Sequence, residues 1–407
     1  MQSTIDFKYE MLQELEGNIL PFWRNRMTDE VNGGFLGRID GNGVAHPEAE
    51  KGAILNARIL WAFSAAYRVT QNPEWLDTAM RAKDYILEHF IDPVYGGVYW
   101  SLNAGGTPKD TKKQTYAIGF TIYGLSEYTR ATGDQDTLSM ALQLYHDIED
   151  HAYDKENNGY IEALTRDWQP IGDMRLSDKD ENASRTMNTH LHIIEPYTNL
   201  LRCLNEQGDD NKQLRDRVAN LLHIFTDIIM NKETGHLDLF FNDRWEGRRN
   251  VESFGHDIEA AWLLHETALV LGDVNVDNVV KRIAKAADEG LQPDGSMVYE
   301  HWKDTGKTDT QRQWWTLCEN VIGHIDLYEF YSDRDALDVA LRCWEFIKHH
   351  LVDKEKGEWL WSVDAEGRPN RVDDKAGFWK CPYHNSRMCL EVMEREFLIG
   401  SIIINTS

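Results

Sequence analysis

The sequence predicts an all-α (α/α)6 barrel of about twelve helices in six hairpins, with short β excursions between the hairpins. Three observations point there. A glycine-centred phrase recurs six times along the 407 residues. The segments between the phrases have helical periodicity. The first helical segment finds a partner only in the last one, which closes the array into a ring.

The phrase is an acid or amide, a few polar residues, glycine, then an alternating aromatic run. Its copies are marked by Gly34, Gly97, Gly159, Gly235, Gly295 and Gly357, at spacings of 63, 62, 76, 60 and 62 residues. Between them, residues 54–69, 117–128, 191–204, 258–271, 321–331 and 388–397 carry apolar residues three and four apart and are expected to form the inner ring. Each of the first five is followed by a second amphipathic segment, at 74–90, 135–151, 211–230, 276–289 and 333–350. A helix over 9–26 is expected to pair with one over 382–399. No linker rich in Pro, Gly or Ser divides the chain, so residues 1–407 are expected to form one catalytic domain.

A formal charge of −25 argues against nucleic acid and anionic membrane surfaces as partners. Five cysteines without a CxxC pair suggest neither a disulfide framework nor a zinc site. The first residues show no basic n-region followed by an apolar stretch, and no apolar run approaches membrane-spanning length. Asn182-Ala-Ser and Asn405-Thr-Ser then match the glycosylation pattern by chance. A reducing cytoplasm is the expected location. The counts of 14 Trp and 16 Tyr are high, and such rings both fill cores and stack on sugars.

If the barrel closes, the starts of its inner helices, at 56–58, 114–116, 188–192, 256–259, 314–319 and 381–387, converge on one cavity. On the third, Asn188, His192, Glu195 and Asn199 fall at i, i+4, i+7 and i+11 and share a face, while His190 points the other way. Pro196 fits best near a helix start, which places the first of these residues on the approach. Three starts bring a histidine: His192, His256 and His384. Other residues at these starts are Arg58, Tyr116, Glu259, Trp315, Glu319 and the nearby Trp379. His256 and Glu259, like His192 and Glu195, stand at i, i+3, so each carboxylate is expected to orient its imidazole. Two such pairs would also suit a metal, but there is no HExxH and no third helix with that spacing, so none is expected. Glu259 and Glu319 would serve a glycoside hydrolase, and a silent sugar-binding barrel is a further alternative. Imidazoles dominate, however, and their titration near neutrality suits proton transfer at a carbon beside a carbonyl. An arginine there would stabilise the resulting oxyanion. The residues therefore favour proton transfer on a carbohydrate.

Several blocks carry a family resemblance: Met187-Asn-Thr-His-Leu-His-Ile-Ile-Glu, Phe254-Gly-His-Asp-Ile-Glu-Ala-Ala-Trp, Trp314-Trp315 with Glu319, and Trp379-Lys-Cys-Pro-Tyr-His-Asn. With Lys51-Gly-Ala-Ile-Leu-Asn-Ala-Arg and Tyr95-Gly-Gly-Val-Tyr-Trp, they resemble the cellobiose 2-epimerases of the N-acylglucosamine 2-epimerase superfamily. The similarity runs from about residue 18 to residue 394. It implies an isomerase that interconverts glucose and mannose configurations at C2 of the reducing-end sugar of β-1,4-linked oligosaccharides, through ring opening and a cis-enediol. Cellobiose, lactose and manno-disaccharides are the implied substrates. By the resemblance, His256 and His384 are the proton-transfer pair, with His192 assisting. Arg58 and Tyr116 bind near the reacting C1–C2 end, and Asn188, Glu259, Trp315, Glu319 and Trp379 bind the sugar. No cofactor or metal is implied, and a monomer or weak homodimer is expected. Ser386 replaces a usual glycine, and Thr316-Leu-Cys replaces the commoner Val-Gln-Ala. Neither change removes a side chain expected to act.

Overall fold

A computed structural model of the protein describes residues 4–247, 251–272 and 275–395. In chain order its helices are α1 (Thr4–Glu14), α2 (Leu20–Arg26), α3 (Ala53–Thr70), α4 (Pro73–Tyr85), α5 (Thr115–Thr132), α6 (Gln135–His151) and α7 (Met187–Glu206). They continue as α8 (Lys212–Ile224), α9 (Phe254–Leu271), α10 (Asp277–Ala287), α11 (Trp314–Tyr331), α12 (Arg334–His350) and α13 (Tyr383–Glu394). A wide turn at Leu15–Ile19 joins α1 to α2, so the two act as one outer helix. The inner ring is α3, α5, α7, α9, α11 and α13. Each packs against the next, α13 packs back on α3, and α1 packs on α13. The chain thus folds as the expected (α/α)6 barrel.

Burial separates the two rings. Inner helix α9 is buried on nearly every side, whereas α10 beside it buries one stripe, Val280, Ile283, Ala284 and Ala287. Four outer helices open on an Asn or Asp cap after a short break: Asn72, Asp134, Asn211 and Asp333 each accept a backbone N–H of the first turn. Inner helices start differently. Short strands at Lys51–Gly52, Lys113–Gln114, Arg185–Thr186, Val251–Ser253 and Arg312–Gln313 lead into α3, α5, α7, α9 and α11. The first N–H of α3, α5, α7 and α11 is taken by a carbonyl of the neighbouring excursion, from Trp100, Glu162, Leu239 and Trp361 at 2.9–3.1 Å. The excursions are therefore what begin the inner helices and aim their first turns at one rim.

The six phrases are tight turns, each closed by one bridging residue pair: 28 with 35, 91 with 98, 153 with 160, 230 with 237, 291 with 297 and 352 with 359. All six marker glycines have φ between 59° and 89°, the left-handed region that favours glycine. In four repeats the phrase aspartate is clasped by a buried cation from a later strand or loop: Asp29 by Lys51, Asp92 by Lys113, Asp154 by Arg185 and Asp353 by Lys375. The last helix is shorter than the expected 382–399. It ends at Glu394, Arg395 is extended, and positions 396–399 lie outside the described residues.

Candidate active site

A cavity of about 880 Å³ opens at the rim where the inner helices begin, a size within the range of about 300–1,000 Å³ of small-molecule sites. Arg58, Tyr116, Asn188, His192 and His256 line it, as do Glu259, Trp315, Trp379 and His384. Glu319 does not. It is fully buried behind His384, so the expectation that it touches the sugar is corrected: its carboxylate is occupied by protein donors.

Each of the three histidines is held through Nδ1, which leaves Nε2 as the nitrogen available to the cavity. His192 Nδ1 lies 2.8 Å from Glu195 Oε2, His384 Nδ1 lies 2.7 Å from Glu319 Oε1, and His256 Nδ1 lies 2.7 Å from the Ser253 hydroxyl. The i, i+3 expectation thus holds for His192 with Glu195. It fails for His256, whose orienting group is a hydroxyl, because Glu259 is turned to Arg387. Burial, reinforced by His192 and His384, lowers the His256 pKa to about 3. Burial lowers His384 to about 3 as well, in spite of Glu319. Burial also lowers His192, against the pull of Glu195. All three rings therefore stand neutral near pH 7, the state of a base. Trp315 packs near two of them, with ring centroids 4.7 Å from His256 and 5.8 Å from His384.

Beneath the histidines the Arg387 guanidinium gathers carboxylates from three helices. It donates to Glu259 Oε1 and Glu319 Oε1 at 2.7 Å each, and also to Glu195 and the Tyr383 hydroxyl. Trp262 Nε1 donates to the other oxygen of Glu319 at 2.9 Å. Burial opposes ionisation of Glu319, but Arg387 and His384 outweigh it and hold the carboxyl below the usual carboxylate range. Glu259 is pushed well above the usual carboxylate range by burial and by Glu319 beside it. Two carboxyls that share one guanidinium nitrogen do not flank a glycosidic bond with the roughly 5–9.5 Å of open space hydrolysis requires. Glu259, Glu319 and His384 also come within 4.8 Å of one another, a metal-ligand spacing, but Arg387 already supplies the cation there. Arg58 donates from Nη2 to the Tyr116 hydroxyl at 2.9 Å, with its guanidinium 4.2 Å from the Phe120 ring centre.

Helix α7 reaches this geometry through a kink. Pro196 lies inside the helix, and without its N–H the carbonyl of His192 four residues earlier has no helical partner. His192 has φ −91° and ψ 17°, outside the helical region. The freed carbonyl packs against Gly119 of α5, where an added Cβ would lie 2.5 Å from it. His190 faces away, as expected, and clamps the third phrase: Nε2 accepts the Tyr160 N–H at 3.0 Å and Nδ1 donates to the Thr186 carbonyl at 2.7 Å.

Sequence reasoning did not single out Arg387, Tyr383, Ser253 or Glu162. Glu162 lines the cavity, accepts the Thr186 and Thr189 hydroxyls, and is pushed up to about 8 by burial. The outer wall from Arg175 to Glu181 was also missed, although a signal for it exists. Asp154 and its cation are 31 residues apart, against 21 or 22 in the other clasps, and the spacing of 76 in the glycine series records the same insertion.

The family model described as N-acylglucosamine 2-epimerase matches residues 34–387, and the chain belongs to that family. Among its members the chain is similar to the cellobiose 2-epimerases. The one from Bacteroides fragilis is 55% identical over 390 residues, 95% of this chain and 98% of that one. The solved structure of cellobiose 2-epimerase from Bacillus thermoamylovorans has a TM-score of 0.91 at 40% identity, covering 96% of this chain and 99% of that one. A GH76 α-mannanase from Bacteroides thetaiotaomicron, 10% identical with a TM-score of 0.60, shares the fold alone.

Proposed function

We propose that this chain catalyses reversible C2 epimerisation of the reducing-end glucose of cellobiose, and of lactose and manno-disaccharides, by histidine acid–base catalysis. The observation that carries the reading is the set of neutral imidazoles anchored at Nδ1, with His256 and His384 both packed near Trp315. The ring of the reducing sugar opens first, because only the free aldehyde acidifies the C2 hydrogen. One imidazole Nε2 then takes that proton, and the negative charge that develops on O1 is stabilised by Arg58 with Tyr116. The other histidine, protonated on Nε2 from solvent, gives that proton to the opposite face of C2 and so yields the mannose configuration; the first histidine then releases its proton to solvent, while His192 assists ring opening. Asn188, Glu259, Trp315 and Trp379 bind the sugar, and Glu319 acts through His384. Proton transfer of this kind calls for no redox cofactor or metal.

The ring of inner helices supports one catalytic unit, and the protein works as a monomer or a weak homodimer. Five free, buried cysteines support a reducing, cytoplasmic setting. No helix among the described residues is long and apolar enough to cross a membrane. The test is NMR of cellobiose incubated with the protein. A new mannose-type anomeric signal without free glucose is the expected result. Free glucose would favour hydrolysis, and saturable binding with neither signal would favour a silent sugar-binding barrel.

A further inference from the structure

We propose that His236, Glu252 and Glu289 form a binding site for one divalent transition-metal ion of the Zn2+ class, behind the junction that carries His256. The first sign is a charge inversion within the repeats. Lys51, Lys113, Arg185, Glu252 and Arg312 hold the same register position, two residues before an inner helix, paired with Leu102, Leu164, Phe241, His301 and Val363. The position is cationic in four repeats and acidic in the fourth. There the phrase acid is also replaced, by Asn231, and a histidine follows the marker glycine.

That histidine is built as a ligand. His236 is 2% exposed, and its Nδ1 lies 2.7 Å from Asp257 Oδ2, so in the neutral ring Nδ1 donates to that carboxylate and the Nε2 lone pair faces outward. Nε2 has no hydrogen-bond partner among the described residues. It lies 3.4 Å from Glu252 Oε1 and 3.6 Å from Glu289 Oε2. Metal bonds of about 2.1 Å in a tetrahedral set put neighbouring ligand atoms about 3.4 Å apart, which the two distances from Nε2 match, and all three ligand atoms lie within 4.8 Å of one another. One imidazole nitrogen and two carboxylate oxygens suit Zn2+ or Mn2+ better than the all-oxygen sites of Ca2+ and Mg2+. Lys303, now paired with Glu252, is the competitor; its side chain is 30% exposed and can turn to solvent. The ion joins the fourth phrase, the strand before α9 and the end of α10. Two neighbours of these ligands bear on His256: Ser253, which holds its Nδ1, and Asp257, next to it in the chain.

The test is calorimetric titration of the EDTA-treated full-length protein with ZnCl2. One saturable ion per chain is expected, bound at least tenfold more weakly by Glu289→Gln and lost in His236→Gln. Lys303→Gln is expected to bind at least as tightly as the wild type. Should His236→Gln not fold, Glu289→Gln decides, because that side chain is 64% exposed and its loss leaves the core intact. Absence of saturable binding in the wild type, unchanged affinity in Glu289→Gln, or weakened affinity in Lys303→Gln would overturn the proposal.

Discussion

His256 and His384 have different anchors, Ser253 and Glu319, but the same proposed role, so their losses should read alike. His256→Ala and His384→Ala should each lower kcat by about 10²–10⁴-fold, the usual range for a positioned acid–base group, with circular dichroism unchanged. Retained activity in both would refute the two-histidine assignment. Glu319→Gln keeps the shape but removes the charge facing His384 Nδ1 and Arg387, so kcat should fall while KM for cellobiose changes little. The pH profile carries a sign as well. Folded-state pKa values of about 3 keep His256 and His384 unprotonated far below the usual imidazole value, so kcat/KM should hold level through pH 6.5 and drop only well to the acid side. An acid limb centred near 6.5 would contradict that burial effect. At this scale the sequence showed which helix starts meet, because one per repeat points to the same rim. It did not show Arg387 joining Glu195, Glu259 and Glu319, since contacts across 68 to 192 residues leave no local spacing to read.

Helix α7 shows why a proline inside a helix can be part of a site. The carbonyl that Pro196 frees, the non-helical φ and ψ of His192 and the bare face of Gly119 form one fitted contact. Gly119→Ala pushes a methyl group to 2.5 Å from that carbonyl, which either shifts α5 or moves His192. A stability loss of about 1–3 kcal/mol by urea denaturation, with a lower kcat, is expected. Full stability and activity would mean the kink does not depend on the close approach. Sequence periodicity located α7 well but read Pro196 as a sign of the helix start, because propensity alone does not reveal a neighbouring glycine that accommodates the freed carbonyl. The same limit applied to the insertion from 172 to 183: its length was visible, its place on the cavity wall was not.

Across the whole molecule the repeat explains both the fold and the site. Left-handed glycines close the turns, buried aspartate–cation clasps hold them, and the excursions begin the inner helices. These features recur about every 62 residues, which is why the barrel could be read from sequence. Lys51→Met should cost about 3–5 kcal/mol in urea denaturation by leaving Asp29 buried without its cation, and adding Asp29→Asn should recover part of that loss. Equal stability of the single variant and the wild type would show the clasp to be dispensable. The central claim, that paired histidines exchange the C2 hydrogen of the reducing-end sugar with solvent, is tested most directly by running the cellobiose reaction in D2O. The account expects one deuterium at C2 of the mannose-configured product, with the label lost together with turnover in His256→Ala and His384→Ala. A product that keeps its original hydrogen at C2 would contradict it.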